Sequence, residues 1–156
     1  MITVRVIESC AFVLAVIVSS EISFAQPISI GGGNKTINIT TGIPGGEPLP
    51  ATITSSTLRY RRQTLPSKIT VSTSCPGQSF GLQVVAVSVP DGVAAPAVDL
   101  VNGMAAVDLI TSIPAKPPTT QRSCTLQYTA TATFSQGNST ELGNDVHTIT
   151  YTILAQ

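Results

Sequence analysis

His147 is the single histidine among 156 residues, and Asp145 stands two positions before it. An imidazole near a carboxylate is the start of acid–base chemistry, because histidine is the side chain that titrates near neutral pH without perturbation. A hydrolytic triad also needs a nucleophile, and a carboxylate placed to orient the ring. Asp145 is too close along a strand for that orienting role, so the sequence assigns His147 to a strand end partly covered by its sheet. Asp99 and Asp108 flank Asn102-Gly103 and would face each other across a hairpin, the arrangement that a glycosidase asks of two carboxylates. The chain has no Trp to stack on a sugar ring. Glu141, Asn144 and Asp145 offer oxygens for a calcium ion, but without the spacing of an EF-hand loop. The reading is therefore of a non-enzyme with no assigned catalytic residue, metal or cofactor; Asp99, Asp108 and His147 are the residues to test for activity.

Cysteine chemistry depends on the compartment. Arg5 precedes an apolar run, Cys10 to Val18, and Ser23-Phe24-Ala25 supplies small residues at the two positions a signal peptidase inspects. The run is well short of the roughly 20 apolar residues of a spanning helix. Residues 1–25 are therefore expected to be a cleaved signal peptide, which places the protein in the periplasm, at the cell surface or outside the cell, with no membrane span in the mature chain. Cleavage removes Cys10 and leaves Cys75 and Cys124, and an even pair in an oxidising compartment predicts one disulfide. A redox or metal role for that pair lacks support, because there is no C-x-x-C and one histidine cannot complete a zinc site with two thiolates.

The one charge cluster is Arg59-Tyr60-Arg61-Arg62. Arg59, Arg61 and Arg62 are candidates for surface contact with an anion, a glycan or a lipid headgroup. The plainer role is a charged strand edge that resists unwanted pairing, since alternation puts Arg59 and Arg61 on one side and Tyr60 on the other. Zero net charge and 10% charged residues leave no electrostatic footprint for nucleic acid. Asn34, Asn38 and Asn138 head N-x-S/T sequons and mark exposed loops.

These residues must be positioned by strands. Residues 123–135 alternate throughout, with Cys124, Leu126, Tyr128, Ala130, Ala132 and Phe134 on one face and Thr, Gln or Ser on the other, which specifies a half-buried antiparallel strand. The same alternation places Ile69, Val71, Thr73 and Cys75 on one face, and Ile149, Tyr151 and Ile153 on one face with His147. Further strands are expected over 51–62, with a bulge at Ser55-Ser56, and over 80–89. Asn102-Gly103 between two apolar runs predicts a hairpin. Residues 26–50 read as an N-terminal arm followed by a Pro/Gly-rich loop, the alternating Ile28, Ile30, Ile37 and Ile39 forming either one interrupted first strand or a mobile arm followed by a strand; residues 51–156 form the domain. The expected fold is all-β: an immunoglobulin-like β-sandwich of about seven or eight antiparallel strands, its last two strands pairing across the 137–144 loop, with a small β-barrel as the alternative.

Gly143 lies fourteenth from the end, and Ile149, Tyr151, Ile153 and Ala155 alternate behind it. This pattern resembles the terminal β-zipper of chaperone-usher pilins and their spore-coat-U-like relatives, which also share a cleaved signal, one disulfide and an alternating N-terminal arm. The chain departs from it in carrying Ala155 where those proteins have an aromatic residue, and in the wide spacing of Cys75 and Cys124. The resemblance implies an incomplete sandwich completed by a neighbour's arm, with Ile28, Ile30, Ile37 and Ile39 as the donor strand. The resulting expectation is an exported structural or interaction module that self-associates or binds another surface protein by strand exchange. The alternative is a monomeric binding or inhibitory module that presents loops 42–50 and 114–120 to a glycan or protein.

Overall fold

The computed structural model describes residues 2–6, 28–115, 121–136 and 139–156. Strands follow in the order β1 (Ile2–Val6), β2 (Ile28–Gly31), β3 (Lys35–Ile37), β4 (Ala51–Arg61), β5 (Ser67–Ser74), β6 (Gly81–Val87), β7 (Val93–Ala94), β8 (Val98–Asp99), β9 (Val107–Ile113), β10 (Gln121–Thr131) and β11 (Asp145–Ala155). A 3₁₀ turn at Phe134–Gln136 and one helical turn at Ser139–Leu142 lie between β10 and β11. The strands form two sheets, β3-β1-β11-β5-β9-β7 and β2-β4-β10-β6-β8. No ladder joins the sheets among the described residues, so the fold is a sandwich and the barrel alternative is excluded.

Alternation decides which side chains fill the space between the sheets. Cys124, Leu126, Tyr128 and Ala130 of β10 are buried, as are Leu58 and Tyr60 of β4 and Leu82, Val84 and Ala86 of β6. The facing sheet contributes Ile69 and Val71 from β5, Leu109, Ile110 and Ile113 from β9, and Ile149 and Tyr151 from β11. Burying a side chain of this size is worth roughly 1.5–3 kcal/mol, so these rows hold the layers together. A cross-layer bond adds specificity: the hydroxyls of Tyr128 and Tyr151 lie 2.7 Å apart.

The strand order matches the immunoglobulin scheme of A-B-E-D on one sheet and C-F-G on the other. β2, β4, β10 and β6 take the A, B, E and D positions, while β5 and β11 take C and F. The G position, beside β11, is filled by β1. Its residues Ile2 to Val6 pair parallel with Asp145 to Ile149, and Ile2 to Val4 pair antiparallel with Ile37 to Lys35. A G strand following F through a hairpin would run antiparallel to it, so the position is filled from the other end of the chain.

Four expectations are corrected. The segment over 26–50 is not a mobile arm but an interrupted strand: β2 pairs with β4, Gly32 and Gly33 turn the chain, and β3 continues in the other sheet. Gly32 has φ of 109°, and a Cβ there would sit 2.7 Å from the Ser55 carbonyl oxygen, so only glycine fits this crossing. Second, Asn102-Gly103 makes no hairpin, because Val98–Asp99 pairs with β6 and Val107–Ile113 with β5 in the opposite sheet. The turn is real, with Met104 N–H donating to the Val101 carbonyl at 3.0 Å, but it carries the chain between layers. Third, β10 and β11 face each other across the core and do not pair. Finally, β10 ends at Thr131, leaving Phe134 64% exposed. The expected irregularity in β4 is present: it holds one extra residue between Ile53 and Ser56, opposite Leu126 to Tyr128.

Candidate functional site

Antiparallel register brings together residues far apart in sequence. Thr148 lies opposite Ser74, which places His147 opposite Cys75 just past the end of β5. Both face inward, and Asp145 sits two residues before His147 on the same face. The result is a buried cluster in which the Cys75 sulfur, a carboxylate oxygen of Asp145 and a ring nitrogen of His147 all lie within 4.8 Å of one another. Cys75 is 1% exposed and His147 fully buried.

Each member is held by backbone or side-chain bonds. The Asp145 carboxylate accepts the N–H groups of Ser79, at 3.0 and 3.1 Å to its two oxygens, and of Phe80 at 2.8 Å. The Cys75 N–H donates to Asn102 Oδ1 at 2.8 Å, and Gln78 Oε1 accepts the Asn102 N–H at 2.7 Å. Thr73 Oγ1 lies 3.2 Å from His147 Nδ1 and 3.3 Å from the Thr148 carbonyl oxygen, while His147 Nε2 is buried without a partner. Burial, with the Asp145 charge adding to it, pushes the Cys75 thiol up. Burial likewise holds the imidazole below its usual range, against the opposing pull of Asp145. A buried neutral thiol beside a neutral imidazole is not an activated nucleophile. Above the cluster, Gln78, Ser79, Phe80, Val101, Asn102 and Gln136 line an open depression of about 540 Å³.

At the opposite end, the arginine cluster divides. Arg59 and Arg61 are exposed, but Arg62 is 6% exposed and pairs with Asp91 through Nε at 2.6 Å and Nη2, so it is a structural ion pair and not a surface contact. Arg122 Nε reaches Asp91 Oδ2 at 2.7 Å, and the Tyr60 hydroxyl donates to the Asp91 carbonyl at 3.2 Å. Bonding to Arg62 holds the Asp91 carboxyl below its usual range.

The expected Cys75–Cys124 disulfide is corrected: both thiols are free and buried. Cys124 is seven residues along β10 from Thr131, roughly 23 Å at strand rise. Thr131 pairs with Gly81, next to the Phe80 that binds Asp145 beside Cys75. The cysteines therefore occupy opposite ends of the sandwich, far beyond the roughly 7 Å Cα separation that a bridge tolerates. The carboxylates considered earlier also separate. Asp99 accepts from Gln83 Nε2 at 2.7 Å in one sheet, and Asp108 pairs with Lys68 at 2.8 Å in the other. Asp145 is turned into the core while Glu141 and Asn144 are exposed, so the three do not gather oxygens for calcium. Asn34 and Asn38 are exposed. Asn138, most of the 114–120 loop and residues 7–25 of the expected leader lie outside the described residues.

Sequence reasoning placed Cys75 and His147 each on a core face, but could not bring them together. That meeting follows from the β5–β11 register, for which the sequence carries no local signal. No protein-family model and no curated protein matches the chain. Among the described residues, no helix is long and apolar enough to cross a membrane.

Proposed function

We propose that the mature chain is an exported, non-enzymatic structural or interaction module, pilin-like in its assembly, that completes its sandwich with an extended strand from a neighbouring chain. The observation that carries this reading is the occupancy of the G position by residues 2–6, from the stretch with the composition of a cleaved leader. Loss of the leader opens the edge of β11 that faced β1 and leaves β3, whose only ladder is to β1, without a paired neighbour among the described residues. An open edge of this kind is a template for strand addition. The segment that fills it, Ile2-Thr3-Val4-Arg5-Val6, alternates apolar and polar residues, the pattern expected of an incoming strand.

Ile28, Ile30, Ile37 and Ile39 pack against this domain's own core, so the donor strand belongs to a partner. The protein in this reading is an acceptor, and its own arm is not spent on a neighbour. The test is to express the chain with its leader, determine the N-terminus of the exported product and measure its assembly state by sedimentation. An exported product that starts near Gln26 and co-purifies with a strand-donating partner supports the reading. A product that retains residues 1–6 and stays monomeric removes the open edge and overturns it.

A further inference from the structure

We propose that Cys75, Asp145 and His147 form a binding site for one divalent transition-metal ion of the zinc class. The donor set is one thiolate, one carboxylate and one imidazole, all within 4.8 Å of one another. These are ligand types that zinc takes in a tetrahedral shell, and two negative ligands neutralise the ion inside a buried site. Cys124 is at the far end of the sandwich, so the site uses one thiolate, and Asp145 stands where a second would be.

Histidine orientation carries the argument furthest. Thr73 Oγ1 donates to the Thr148 carbonyl and is left to accept from His147 Nδ1, at 3.3 and 3.2 Å. With the Thr73 proton assigned to the Thr148 carbonyl, the ring proton is on Nδ1 and a bare lone pair is left on Nε2. Nε2 is buried with no partner, although His147 is fully enclosed. An orphaned buried nitrogen is costly, and a metal-binding imidazole characteristically has its other nitrogen fixed by a second hydrogen bond in this way. The N–H groups of Ser79 and Phe80 orient the carboxylate, and the Asn102 side chain fixes the backbone at Cys75.

Those same residues line the 540 Å³ depression, so a single layer of side chains and backbone separates the buried ligands from solvent. Binding converts the Cys75 S–H to a thiolate, and its proton leaves to solvent, one per ion. The bound ion ties β5, β11 and the 76–80 turn at one point. This inference is independent of strand addition.

The test is Co²⁺ titration of the purified, reduced and untagged chain, followed by displacement with Zn²⁺. The expected result is a thiolate-to-cobalt charge-transfer band that saturates at one equivalent, with one proton released. The band is lost in Cys75→Ser and kept in Cys124→Ser. Thr73→Val weakens affinity about 10–100-fold by releasing the imidazole. Because His147 is the only histidine, its ring resonances report directly in the unmutated protein, so the test survives a Cys75→Ser variant that does not fold. They should shift on Zn²⁺ addition. Absence of the band with unmoved His147 resonances, or an undiminished band in folded Cys75→Ser, overturns the proposal.

Discussion

Replacing Tyr151 by Phe removes one hydroxyl from the middle of the sandwich. Its partner, the Tyr128 hydroxyl, lies 2.7 Å away on the opposite sheet, and the residues are 0% and 3% exposed for Tyr128 and Tyr151. A buried hydroxyl left unpaired costs about 1–3 kcal/mol, whereas removing both partners together is close to neutral. Tyr151→Phe and Tyr128→Phe should therefore each destabilise by about 2 kcal/mol, and the double variant by about 1 kcal/mol. The coupling, double minus the two singles, is then about −3 kcal/mol, at the upper end of what contacting residues show. Urea unfolding measures it, read as a shift in midpoint with an unchanged slope. Two near-neutral singles that add in the double variant would show that the hydroxyls do not meet, and the facing of β10 and β11 across the core would be refuted.

Alkali probes the same core. Burial pushes the Tyr60 and Tyr128 hydroxyls up to about 12 and Tyr151 well above its ordinary value. Folded values above the unfolded value near 10 give stability that is complete below pH 10 and lost as pH rises towards 12. A spectrophotometric titration should show tyrosinate absent at pH 10 and appearing together with unfolding; half-ionisation near pH 10 in a folded protein would contradict the packing. In acid, Asp91 acts in the opposite sense: its depressed folded value gives stability that is present above its ordinary 3.8 and lost as pH falls through the lower folded value. Asp91→Asn should lower the thermal midpoint at neutral pH and flatten that acid limb, and an unchanged limb would show that the Arg62–Asp91–Arg122 group adds nothing. Thiol titration of the denatured, leader-free protein should count two free thiols, with Cys124, its thiol pushed up to about 11 by burial, inert to alkylation in the native state. One bridge would contradict the placement of the cysteines at opposite ends.

Much of the architecture was legible because period-two alternation is a direct consequence of strand geometry. Cys124, Leu126, Tyr128 and Ala130 face the core as their spacing requires, and so do Ile69, Val71, Thr73 and Cys75. What alternation does not encode is which strand lies beside which. Asn102-Gly103 forms the turn its chemistry favours, yet its flanks go to different sheets, because local turn preference says nothing of the layer each strand joins. Cysteine number and compartment favour a disulfide that the separation of Cys75 and Cys124 forbids. Arg62 is indistinguishable in sequence from its exposed neighbours, because its partner Asp91 lies 29 residues on. The Cys75–Asp145–His147 cluster lay hidden for the same reason: two strands separated in sequence must register before their ends meet.

The central claim is that the G position stands open in the mature chain and accepts a strand. Hydrogen–deuterium exchange on the leader-free protein, with and without a peptide carrying residues 1–8, tests it most directly. The account predicts fast exchange at the edges of Lys35–Ile37 and Asp145–Ile149 in the free protein, and protection of both when the peptide binds. Edges already protected without the peptide, or no protection when it is added, would contradict it.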